Sequence, residues 1–165
     1  PHPYSLFKRR TGAAVLPSHT CMLLSISFRK GRKVDRKEKA IALHDRKFNC
    51  AQSVVLAFDD VWTADPVTVF KAAESFGFGM GDASQTCGAI SGMGLVLGLT
   101  GSDGNLSDPG TKKTTYGKMS VAVSKFRERT GACTCRELKG LSTGKTLCSC
   151  SDCIRIAVEI LEEML

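Results

Sequence analysis

Apolar positions recur along most of the chain at three- and four-residue spacing, and no long alternating run appears. That pattern predicts helices. Asp35 to Phe48 is rich in helix formers and places Ala40, Ile41, His44 and Phe48 on one face. Asn49 is suited to cap a second helix, in which Cys50, Val54, Ala57, Phe58 and Val61 form a stripe. Asp65 and Pro66 read as the cap and first position of a third, which turns Val69, Phe70, Ala73 and Phe76 inward. Cys87 starts an apolar segment after the glycine-rich turn Phe76 to Gly81. Thr114 to Arg129 sets Tyr116, Met119, Val123 and Phe126 at helical spacing and stops at Gly131. A last helix from about Ser151 to Met164 carries Ile154, Ala157, Val158, Leu161 and Leu165. The expected fold is all-α: a compact single-domain bundle of five to six helices over residues 35–165.

Charge separates this body from what precedes it. The 165 residues carry a net charge of +7. Residues 1–34 hold seven Lys or Arg and no Asp or Glu, whereas residues 35–165 balance 16 basic against 16 acidic side chains. A nucleic-acid binder concentrates positive charge on its folded face, so the neutral body is not expected to bind nucleic acid. Residues 1–34 form a basic arm with three readings: a transit-type leader, a nucleic-acid or anionic-membrane arm, or an upstream extension with Val34 or Met22 as the true start. The last is preferred, because Arg29 to Lys33 can be encoded by an unbroken purine run of the ribosome-binding type. No apolar run approaches the roughly 18 residues a membrane helix needs, so a soluble, membrane-free protein is expected.

Eight cysteines are the strongest chemical signal. They are too sparse for a small secreted disulfide scaffold, and no secretory signal is evident, so a reducing compartment is expected, with clustered thiols serving metal or redox chemistry. Cys50 and Cys87 each start a predicted helix, Cys135 sits just before Arg136-Glu-Leu, and Cys150 just precedes the last helix. There, unpaired amides and the helix dipole favour thiolate, the form that both attacks and ligates. Cys133, Cys135, Cys148, Cys150 and Cys153 lie within 21 residues, and Cys150-x-x-Cys153 is a spacing used by metal sites and dithiols alike.

Asn49-Cys50-Ala-Gln-Ser-Val, then Cys87-Gly-Ala-Ile-Ser-Gly92, then Cys135-Arg-Glu-Leu, then a late cysteine before a Leu- and Glu-rich helix resembles the C_GCAxxG_C_C family over roughly residues 35–165. The resemblance implies a small bacterial or archaeal cytoplasmic protein with four characteristic cysteines and an inferred redox role. The four carry over as Cys50, Cys87, Cys135 and a late one, Cys150, with Cys153 as competitor. Gly88 and Gly92 are read first as close-packing positions; with Ala89 they are also the candidates to face a cofactor.

Two classes of function follow. In the first, thiolates from Cys50, Cys87, Cys135 and Cys150 (with Cys153) bind an iron–sulfur cluster for electron transfer, or cycle between dithiol and disulfide with Cys87 as the attacking thiol. The slight preference is for a cluster, since four ligands from separate helices suit a metal. In the second, the late cysteines hold a structural zinc ion in a partner-binding module. A redox partner protein is expected but not identifiable, and no specific enzymatic reaction is assignable. His44 is read as a core histidine with a satisfied hydrogen bond, and Glu159, Glu162 and Glu163 as a solvated face. Ile156 and Ile160, opposite Ala157 and Leu161, leave room for a homodimer. Cys21 in the arm is assigned no role. No Walker motif, Gly-x-Ser-x-Gly elbow or Cys-x-x-Cys-His haem site occurs.

Overall fold

The structure, a computed structural model, describes residues 35–165; the basic arm, with Cys21 and the proposed start positions, lies outside them. The seven helices are α1 (Arg36–Asp45), α2 (Cys50–Ala57), α3 (Pro66–Ala73), α4 (Gly88–Gly101), α5 (Lys112–Thr130), α6 (Cys135–Leu138) and α7 (Cys150–Met164). A single 3₁₀ turn, Glu74–Phe76, extends α3. The described residues contain no strand, only an isolated antiparallel bridge between Thr86 and Thr134. The all-α expectation holds, with the one-turn α6 as the helix that periodicity does not register.

The helix starts are set by the residues that cap them. Asp35 accepts the Lys37 and Glu38 amides at 2.9 and 3.2 Å, opening α1. Asn49 and Gln52 cap α2 reciprocally: Asn49 Oδ1 accepts the Gln52 amide at 2.9 Å, and Gln52 Oε1 accepts the Asn49 amide at 3.0 Å. Asp65 caps α3 with Pro66 in its first turn. Thr134 and Ser149 accept the Glu137 and Asp152 amides, opening α6 and α7. Gly131, at φ 86°, closes α5 in the left-handed conformation that glycine adopts without a Cβ penalty.

The core is built around α2, which packs against α1, α3, α4 and α7. Val54, Val55 and Phe58 from α2 meet Ile90, Met93 and Leu97 from α4 and Ile154, Val158 and Leu161 from α7, all buried. The α2–α4 contact is close because α4 presents glycines to it. A Cβ on Gly92 would lie 2.7 Å from Val54 Cβ and 2.9 Å from the Ala51 carbonyl oxygen; one on Gly88 would lie 2.9 Å from the Phe76 carbonyl oxygen. Their close-packing role is thus the one the structure displays.

Some sequence expectations change: Val61 and Leu165, placed on the stripes of the second and last helices, are 36% and 54% exposed. Tyr116 is 67% exposed, so the inward face of α5 runs through Met119, Ala122, Val123 and Phe126 without it. Ile160 is fully buried and Ile156 packs on the core, because α1, α4 and α5 all contact α7; the helix face offered for a dimer is therefore covered by the chain itself. Glu159 and Glu163 do lie on a solvated face, with side chains 40% and 42% exposed, and there Glu159 pairs with Lys37 at 3.2 Å and Glu163 with Lys125 and Arg129 at 2.8 and 2.6 Å.

No helix among the described residues is long and apolar enough to cross a membrane.

Candidate functional site

Four helix starts converge on one cavity. Cys50, Cys135 and Cys150 each occupy the first position of a helix, directly after the capping residues Asn49, Thr134 and Ser149. Cys87 is itself the N-cap of α4. The cavity they share has a volume of about 190 Å³ and is lined by six cysteines: Cys50, Cys87, Cys135, Cys148, Cys150 and Cys153. His44, Asn49, Phe78, Gly88, Leu138 and Lys139 complete its wall. The structure thus brings together all five cysteines singled out from the sequence and adds Cys148. Cys133 is absent from the lining; its carbonyl accepts the Cys87 amide at 2.8 Å and so positions α4 instead. All seven described cysteines are free thiols.

Cys50 and Cys150, both half-buried, line the cavity from separate helix starts, and each is the largest influence on the other's thiol. The interaction with Cys50 is the largest influence lowering the Cys150 thiol, which falls to about 5 against burial; Lys139 and His44 add to the same effect. Cys50 is pushed the other way, by that interaction and by desolvation. Cys87 and Cys153 repeat the arrangement more deeply, at 5% and 2% exposure. Cys87 is lowered, first by its hydrogen bond with Cys153 and then by the Ala89 and Ile90 amides, although no formal capping bond forms there. Cys153 is raised. It also touches Cys148, whose carbonyl lies 4.0 Å from Cys153 Sγ. Burial raises Cys135 and Cys148.

The polar side chains at the cavity were underweighted by sequence reasoning. Lys139 follows α6 as its C-cap and faces Cys150, whose charge raises the lysine pKa. His44 makes the expected satisfied hydrogen bond, Nδ1 to the Phe48 carbonyl at 3.0 Å. A carbonyl only accepts, so Nδ1 carries a proton, and Nε2 makes no hydrogen bond among the described residues; the ring also lines the cavity. Phe78 stands at 49% exposure on a loop whose residues Phe78, Gly79, Met80 and Gly81 all have positive φ, and the Lys139 ammonium sits 5.8 Å from its ring centroid. Of the cofactor-facing candidates, Gly88 lines the cavity, Ala89 offers only its amide to Cys87, and Gly92 packs against α2.

For metal, the donor chemistry and the donor arrangement give different answers. Thiolates at helix starts suit iron–sulfur ligation. Yet among the described residues no group of three or more His, Cys, Asp or Glu side chains is arranged to hold a single metal ion.

Residues 48–164 match the family described as "Putative redox-active protein (C_GCAxxG_C_C)", so the chain belongs to that family. Comparison with curated proteins and with solved structures returned no match for either.

Proposed function

We propose that the protein is a dithiol–disulfide redox protein whose outer pair, Cys50 and Cys150, meets the substrate. The observation that carries this reading is the placement of Cys50 and Cys150: two half-buried cysteines from separate helix starts on one cavity, with the Cys150 thiol lowered and the Cys50 thiol raised. Thiol–disulfide exchange needs that division, since the thiolate attacks and a neighbour resolves.

With a disulfide as substrate, the Cys150 thiolate attacks one sulfur, forms a mixed disulfide and expels the other half as thiolate. Cys50 then attacks the Cys150 sulfur, releasing the second half, which takes the Cys50 proton. The products are a Cys50–Cys150 disulfide, one substrate thiol and one substrate thiolate, which takes its proton from solvent; two electrons have left the protein. Run backwards with a dithiol donor, the same steps reduce the protein. Lys139 holds charge beside Cys150 and the free Nε2 of His44 can carry a proton at the cavity wall. Both Cys87 and Cys150 have depressed thiols, but Cys150 is the more exposed of the two, so attack on an external substrate is assigned to Cys150 and not to the sequence-based choice, Cys87.

A second reading is supported by the convergence of the four helix starts: Cys50, Cys87, Cys135 and Cys150 would hold an iron–sulfur cluster. Such a group, when bound, supplies one-electron transfer without bond exchange. In that case the paired thiols would have to part.

Stepwise oxidation of the reduced protein, followed by alkylation and peptide mapping, separates the two readings. A reversible Cys50–Cys150 disulfide in metal-free protein is the result the dithiol reading expects. Stoichiometric iron and acid-labile sulfide in protein purified without oxygen, with Cys50 and Cys150 protected from alkylation, would replace it with the cluster.

A further inference from the structure

The cavity contains a second thiol pair that the outer exchange does not use. Cys87 and Cys153 lie deeper than Cys50 and Cys150, at 5% and 2% exposure against half-burial for the outer two. A disulfide larger than the roughly 190 Å³ cavity cannot reach them directly. They nevertheless open onto the same space as the outer pair, and each is the largest influence on the other's thiol. The Cys87 end sits against α2: the residue after it, Gly88, is placed so that a Cβ there would be 3.2 Å from Cys50 Cβ.

We propose that Cys87 and Cys153 form an inner dithiol in series with the outer pair, re-reducing the Cys50–Cys150 disulfide and giving the chain a store of two disulfides. This rests on the dithiol reading above. The Cys87 thiolate attacks the Cys50 sulfur of the outer disulfide, forming a Cys87–Cys50 bond and expelling Cys150. Cys150 is the better leaving group of the outer two, because the sulfur with the lower pKa departs more readily. Cys153 then attacks Cys87, forming the Cys87–Cys153 disulfide and transferring its proton to Cys50. The outcome balances: a Cys87 thiolate, a Cys153 thiol and the outer disulfide become the inner disulfide, a Cys50 thiol and a Cys150 thiolate. The outer pair is then in its starting protonation state and can oxidise a second time against the same external disulfide.

The arrangement also accounts for Cys153 sitting one helical turn after Cys150. Residues three apart on a helix point to the same side, so α7 supplies one sulfur to each pair, while α2 and α4 supply the partners.

The test uses the full reduced chain, desalted without oxygen and exposed to glutathione disulfide, with samples alkylated over time and their disulfides mapped. Wild-type protein should finish with both Cys50–Cys150 and Cys87–Cys153, and should release twice as much glutathione as the Cys153→Ser variant, which should stop at Cys50–Cys150. In Cys150→Ser, checked for native helicity, inner-pair oxidation should slow at least tenfold. Inner oxidation at the wild-type rate in that variant would overturn the series arrangement. A wild-type protein that stops at Cys50–Cys150, or whose second disulfide maps to Cys148–Cys153, would overturn the inner pair while leaving the outer exchange intact. Failure of Cys50–Cys150 to form in both wild type and Cys153→Ser would instead remove the dithiol reading on which this rests. Should Cys150→Ser not fold, the glutathione count for Cys153→Ser decides alone.

Discussion

Cys50 opens α2 and Cys150 opens α7, and both line one cavity, where the interaction between them lowers the Cys150 thiol and raises that of Cys50. This relationship fixes a pH profile. The Cys150 thiol is lowered from its ordinary value of 9.0 to about 5. A depressed pKa keeps the reactive thiolate present at and above neutrality and loses it as pH falls through the folded value. The rate at which Cys150 is alkylated by iodoacetamide, followed by peptide mapping, should be nearly flat from pH 8 to 6 after correction for reagent behaviour and half-maximal near pH 5. A half-point above pH 8 would show that the pairing does not hold.

Lys139 is the cation beside that thiolate. Lys139→Met removes the charge while keeping much of the apolar stem, and should move the Cys150 half-point upward on the order of one unit, as loss of a nearby opposite charge does. The fold should be unchanged, since Lys139 contributes its backbone to the end of α6 through a 3.0 Å bond to the Cys135 carbonyl, which the substitution keeps. An unmoved half-point would separate Lys139 from the chemistry.

Phe78 combines a left-handed backbone, φ 50°, with a half-exposed ring on the cavity wall. That conformation costs a non-glycine residue about 1–2 kcal/mol. Phe78→Gly should relieve the strain and uncover the thiols together: alkylation of Cys50 and Cys150 should quicken several-fold, measured by mapping, without a loss of cavity helicity by circular dichroism. Slower labelling would mean the ring does not cover the site.

Close packing rather than chemistry is expected to dominate at Gly92. Its added Cβ would meet Val54 at 2.7 Å and a backbone oxygen at 2.9 Å, and backbone yields poorly. Gly92→Ala should destabilise the protein by about 1–3 kcal/mol, read as a lowered midpoint in denaturant, with the Cys50–Cys150 exchange still present in the folded fraction.

Much of this architecture is written locally in the sequence. Asn49, Asp65, Thr134 and Ser149 are short polar side chains that satisfy the amides one turn ahead, so the starts of α2 and α3, and with them Cys50, are visible without tertiary information. The same holds for the stripe Ile154, Ala157, Val158 and Leu161 on α7. The parts that stay hidden depend on contacts distant in sequence. Cys148 reaches the cavity because the Leu147 and Cys148 amides both bond back to the Leu138 carbonyl, at 2.9 and 3.2 Å, folding the intervening loop over α6. Lys139 meets Cys150 through the same fold-back. Periodicity marks Tyr116 as apolar-face and Ile160 as an outer face, but the partners α7 finds in α1, α4 and α5 decide which side of each helix is covered. The pairing of Cys50 with Cys150, and of Cys87 with Cys153, is likewise a product of helix packing that spacing along the chain does not encode.

The most direct measurement is disulfide mapping of the full chain equilibrated, without metal, in thiol–disulfide buffers of increasing oxidising strength. A Cys50–Cys150 disulfide that forms and disappears reversibly along the series is the predicted result. Cys50 and Cys150 remaining unlinked to each other across the whole series, in folded protein, would contradict it.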